Sequence, residues 1–181
     1  MRRFILTGTP GAGKTTLLRQ LEIEGYSVVE EAATDLIAVE QARGTAEPWE
    51  NPSFLDSIVS LQRQRQMRAA HLPDELQFHD RSAVCTAALA VYMKYPFSAA
   101  LTQELERIRA EAVYERRFFL IQNLGFVSAT EVRRINYEEA LRFERIHEEI
   151  YREFGFEPVV IEPSPVLERT ARIKAMVAKG Q

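Results

Sequence analysis

At 181 residues, with 46% hydrophobic and 27% charged residues, the chain has the length and composition of one globular domain with a substantial core. A formal net charge of -3 argues against a broad nucleic-acid-binding surface, and Cys85, the only cysteine, excludes an intrachain disulfide and a cysteine zinc cluster. No apolar run approaches the ~20 residues that cross a bilayer, and the apolar stretch at Phe4–Leu6 is too short for a signal peptide. The expectation is one cytoplasmic domain over 1–181, a monomer or homodimer without membrane or general nucleic-acid partners.

Phe4–Leu6 is a short apolar run stopped by Thr7 and Gly8 and reads as a buried strand. A helix follows over 14–24, with Leu17, Leu18 and Leu21 on one face and Gly25 to end it. Tyr26–Val29 is a second strand, and a helix runs from about Glu31 to Gln41. Residues 43–53, with Gly44, Pro48, Trp49 and Pro52, form a long loop, a kind of segment that is often functional. Phe54–His71 is helical, Leu76–Asp80 is a third strand, and Ala83–Lys94 is a small-residue helix broken at Tyr95-Pro96. A more charged helix covers Leu101–Val113. Arg117–Ile121 is a fourth strand, whereas 122–134 shows no period. Asn136 with Glu139 resembles a capping box opening a helix to Phe154. Glu157–Ile161 is a fifth strand and a last helix follows Pro165. Strands alternating with helices predict an α/β fold, a parallel sheet of about five strands between two helical layers.

Residues 8–15 read GTPGAGKT, which fits the Walker A pattern G-x-x-x-x-G-K-[ST] without a mismatch. A polyphosphate needs several converging donors, and successive main-chain N–H groups in a tight loop supply them. Gly8, Gly11, Ala12 and Gly13 form this cradle, and the helix opening at Lys14 adds free N–H groups and the positive end of its dipole. Lys14 reaches the β- and γ-phosphates, the Thr15 hydroxyl ligates magnesium, and Thr16 serves the α-phosphate. No Asn-Lys-x-Asp tetrapeptide occurs, so a guanine-reading switch is disfavoured and ATP with Mg2+ is the expected ligand.

Glu30 and Glu31 end the second strand, on the edge where open parallel sheets bind ligands. They read either as ligands for an acceptor hydroxyl or a second metal shell, or as first-turn acids of the following helix. The Phe143, Ile146, Ile150 and Phe154 stripe reads as core, His147 as a hydrogen-bonded packing residue, and Trp49 as a pin holding its loop to the body. His79 and Asp80 point to opposite faces of their strand.

The pieces TGTPGAGKTTLL, VVEEAA, HDRS and ALRFERIHEEIYREFGFEPVVIEP together cover most of the chain. In them the chain resembles the small NadR-like AAA ATPase domains related to the nicotinamide riboside kinase domain, and more distantly thymidylate and deoxynucleoside kinases. That resemblance implies a three-layer P-loop NTPase fold of the nucleoside/nucleotide-kinase kind. It implies that Asp80 is a magnesium-shell carboxylate or general base and that Arg81 contacts phosphate or substrate. It places a lid at about 122–136, with Arg133 and Arg134 near the γ-phosphate. The expected function is transfer of the ATP γ-phosphoryl to a small-molecule, nucleoside-like or other hydroxyl acceptor. The alternative is an ATP-hydrolysing or nucleotide-switched regulatory domain, whose charged helices meet a partner protein.

Overall fold

A computed structural model describes residues 1–124 and 137–178. The chain begins with β1 (Arg2–Thr7), and the phosphate-loop sequence leads into α1 (Lys14–Ile23). β2 (Ser27–Val29), α2 (Ala32–Ala42), a 3-10 turn at Pro48–Glu50 and α3 (Ser53–Ala69) follow. Then come β3 (Leu76–Asp80), α4 (Ala83–Met93), α5 (Ala99–Ala110), β4 (Arg117–Ile121), α6 (Tyr137–Glu153), β5 (Glu157–Ile161) and α7 (Val166–Ala178). The strands β3, β4 and β5 have the bounds expected from sequence, and the helices differ by one or two residues at most of their ends, where fraying makes boundaries soft. The long loop 43–53 contains a turn of 3-10 helix, and α3 starts at its last residue. The Asn136 cap, most of the lid segment and both Arg133 and Arg134 lie outside the described residues.

The five strands form one sheet in the order β2-β3-β1-β4-β5, and all four neighbouring pairs run parallel. Parallel strands buried on both faces need apolar residues at consecutive positions, which is what the Phe4–Leu6 and Phe118–Ile121 runs supply. Their side chains alternate between two cores. Phe4, Leu6, Phe78, Phe119 and Ile121 pack with Leu17 and Leu21 of α1 and Ile173 of α7. Ile5, Phe118 and Leu120 pack on the other face with residues of α3, α4, α5 and α6, among them Val84, Leu101, Ile108 and Tyr151. The small residues Ala87, Ala88 and Ala90 of α4 are all buried, so this helix sits close between the sheet and its neighbours.

This topology positions the site. The connection after β1 goes to α1 on one face, and the connection after β3 goes to α4 on the other. The carboxyl ends of these adjacent strands therefore open into a crevice, the place where such sheets bind ligands.

Candidate active site

The loop between β1 and α1 is shaped by close approaches that a side chain would obstruct. Gly8 has φ 139°, and a Cβ there would lie 2.2 Å from the Ile121 carbonyl oxygen at the end of β4. Gly13 has φ 83° and caps α1, with the Arg169 guanidinium of α7 in the space a Cβ would need. Lys14 folds back along the loop, and its ammonium donates to the carbonyls of Gly8 at 3.0 Å and Thr9 at 2.9 Å. Thr15 and Thr16 are exposed on the first turn of α1, and Ala12 is buried. Asn123, just past β4, donates through Nδ2 to the Thr9 hydroxyl at 3.2 Å, tying the loop to the neighbouring strand.

Arg81 follows β3 in the left-handed region at φ 72°, a conformation that non-glycine residues avoid and that clusters at functional sites. Its N–H bonds the Leu6 carbonyl at 3.0 Å, which holds the turn against β1. The guanidinium then joins three elements. It donates to Glu31 Oε1 at 2.5 Å, to the Gly8 carbonyl at 3.3 Å and to His147 Nε2 at 3.3 Å. His147 on α6 donates from Nδ1 to the Phe143 carbonyl at 2.8 Å, which leaves Nε2 as the acceptor. Burial and the neighbouring Arg81 charge lower the His147 pKa to about 3, so the ring is neutral. Burial would raise the Glu31 pKa, but the charges of Arg81 and Lys14, with hydrogen bonds from Thr34 and Arg81, bring it well below the ordinary carboxylate range. The Arg81 pKa is raised: burial works against its charge, and Glu31 outweighs it. The pair is therefore ionised on both sides.

The two adjacent glutamates part company. Glu31 turns inward to Arg81, whereas Glu30 is exposed and pairs with Arg19 of α1. Arg65 of α3 fixes this junction by donating to the Glu30 carbonyl at 3.1 Å and the Glu31 carbonyl at 2.7 Å. Asp80 is buried at the end of β3, beside Leu6 and on the strand face it shares with Phe78, the side of α1. His79 is on the opposite face, its ring edge-on to Tyr114 at 5.1 Å. Burial, with the Arg3 charge, lowers its pKa to about 3.

Next to the phosphate loop lies a cavity of about 420 Å³ whose lining includes Lys14, Thr15, Glu31 and Arg81. Its walls carry Trp49, Phe54, Leu89, Tyr92 and Phe143, with Thr34, Glu47, Glu50, Gln62 and Thr86 among the polar groups. The Gln62 amide is oriented: its Nε2 donates to the Ser82 carbonyl at 3.1 Å, and the Thr86 hydroxyl donates to its Oε1 at 3.0 Å. Lys14 and Arg81 are the only Lys or Arg among the described lining residues. Trp49 both packs against the core and faces the cavity, and Phe143 is a core residue that also lines it. Gln62, Tyr92, Phe143, Asn123 and Arg169 carry no local motif; only the folded chain brings them here.

The model of a family described as AAA domain matches residues 3–169. No curated protein matches the chain. Among solved structures, a deoxyadenosine kinase from M. mycoides with the products dCMP and a flexible dCDP has a TM-score of 0.67 at 14% identity, over 98% of this chain and 99% of that one. The same kinase with bound dATP gives 0.61 at 14% identity, over 97% and 99%. The NadR protein in complex with NAD and AMP-PNP gives 0.69 at 18% identity, over 97% of this chain but 48% of its own. The chain thus spans about half the length of NadR. At these identities the likeness establishes the fold, a P-loop kinase-like α/β domain.

Proposed function

The chain belongs to the AAA-domain family whose model it matches, and from that premise we propose that it transfers the γ-phosphoryl group of ATP to a hydroxyl of a small molecule. The observation that carries this reading is the apolar cavity that opens beside the phosphate loop, with the Glu31–Arg81 ion pair at the junction. A hydrolase needs only water at that point, whereas a walled cavity with an oriented amide suits an organic acceptor. With both cations at the phosphate end, the other described lining residues offer no positive charge to neutralise a phosphorylated acceptor and include the acids Glu47 and Glu50, so a neutral hydroxyl is the better fit.

Loop amides and Lys14 hold the triphosphate, as the resemblance in the motif implies. The oxygen donors at the loop fit magnesium. It takes one or two protein oxygens and completes its shell with water and phosphate. Among the described residues no group of three His, Cys, Asp or Glu forms a metal cluster, so a metal here would depend on the phosphates. Thr15 and Asp80 would hold Mg2+, which would offset charge on the β- and γ-oxygens. Glu31, ionised, accepts a hydrogen bond from the acceptor hydroxyl and takes its proton as the new oxygen–phosphorus bond forms and ADP leaves. Arg81 lies ready to contact the transferred phosphoryl group.

The test is γ-labelled ATP with magnesium and a panel of nucleosides, nicotinamide riboside and small sugars. Label appearing on an acceptor supports the proposal. Label released only as inorganic phosphate, at a rate no acceptor changes, would favour the ATP-hydrolysing or nucleotide-switched domain instead.

A further inference from the structure

Arg169 has no role in the transfer step as proposed, yet it places a buried charge directly behind the phosphate loop. It stands in the first turn of α7, only 5% exposed, and its Nη1 donates to the Ala12 carbonyl at 2.8 Å. A Cβ on Gly13 would lie 3.1 Å and 3.3 Å from the two terminal nitrogens, so the guanidinium fills the space that this glycine leaves open. Among the described residues no carboxylate pairs with it, and its Nε is buried without a hydrogen-bond partner. Two described arginines beside the site differ in this respect: Arg81 has Glu31 and Arg65 has Asp35. A buried guanidinium with no counter-charge is costly in the empty protein. Burial accordingly lowers its pKa.

We propose that Arg169 is a positioning residue for the nucleotide. It holds the back of the phosphate loop through Ala12, and its charge is balanced by the triphosphate that the loop receives. The inference rests on nucleotide binding at this loop but not on phosphoryl transfer. The hydrogen bond holds the Ala12 carbonyl toward α7, and in a trans peptide the amide that follows, on Gly13, then points away from α7. The charge lies one peptide unit behind the amides that face the phosphates and adds to the positive end of the α1 dipole. Gly13 is therefore needed on both sides, for the ligand in front and for the guanidinium behind.

Two variants separate charge from shape. Arg169→Gln keeps a donor for the Ala12 carbonyl and loses the charge, whereas Arg169→Lys keeps the charge. Binding is measured by calorimetry with magnesium and either a non-hydrolysable ATP analogue or inorganic tripolyphosphate, across a series of salt concentrations. The expected result is a loss of at least about tenfold for Arg169→Gln with both ligands, with a shallower salt dependence. Arg169→Lys should recover a large part of the affinity, and thermal unfolding of the ligand-free Gln variant should not fall below that of the parent. Unchanged affinity in Arg169→Gln overturns the proposal. So does an equal loss in both variants, which would make the role one of packing. A parent protein that binds neither ligand would instead remove the nucleotide reading itself, and this inference with it.

Discussion

Gly8→Ala perturbs the site through geometry alone. The new methyl group would lie 2.2 Å from the Ile121 carbonyl oxygen and 3.2 Å from its carbon. Non-bonded heavy atoms rest at roughly 3.5 Å, so backbone must move by more than about 1 Å. Ile121 cannot yield readily: it is fully buried and ends β4 in register with Ile161 of β5. The φ of 139° adds strain that only glycine escapes. Overpacking and backbone strain each cost about 1–3 kcal/mol, together about 2–6 kcal/mol. In a domain of this size each kcal/mol lowers Tm by about 2–4 °C, which gives a fall of between about 4 and 24 °C. Gly25→Ala is the control. Gly25 has φ 90° but nothing within 4 Å of the position its new methyl group would take, so only the left-handed strain of about 1 kcal/mol applies. The assay is thermal unfolding of both variants with and without magnesium and an ATP analogue. The Gly8 variant should show the larger fall and lose the nucleotide-induced rise in Tm. Equal Tm values for the two variants, with the nucleotide effect intact in both, would refute the close-approach argument.

Lys14→Ala should abolish triphosphate binding, read by calorimetry, while leaving the fold intact. Glu31→Gln and Asp80→Asn should separate the two acids: both lose turnover in the labelled-ATP assay, but only the Asp80 variant should shift the magnesium concentration needed for tight nucleotide binding. Stability should also depend on pH through the histidines. His79 and His147 have folded pKa values lowered from 6.5 to about 3, so their contribution is complete above 6.5 and is lost as pH falls toward 3. At pH 5 the loss is about 2 kcal/mol for each, measured by denaturant unfolding at pH 7 and pH 5. The depressed Glu31 pKa has the same sign: its contribution is present above the ordinary carboxylate range and is lost on further acidification. His79→Gln should flatten the profile between pH 7 and pH 5.

The phosphate loop could be read directly because its chemistry is local. A polyphosphate cradle needs consecutive amides, small residues and one lysine within eight positions, and Gly8 to Thr15 provide them in a row. The strands were equally readable, since a parallel sheet covered on both faces demands unbroken apolar runs such as Phe118–Ile121. Sequence leaned only slightly to Glu31 over Glu30, because strand-end neighbours look alike until Arg81, fifty positions on, pairs with one of them. The cavity was equally hidden. Trp49, Gln62, Tyr92 and Phe143 come from four separate segments, and helical spacing marks Phe143 only as an apolar-face residue. Arg169 is the extreme case: 157 positions separate it from the carbonyl it holds. Motifs record what the backbone does over a few residues. The tertiary structure alone decides which distant side chains share one low-dielectric space, and hence which charges are compensated.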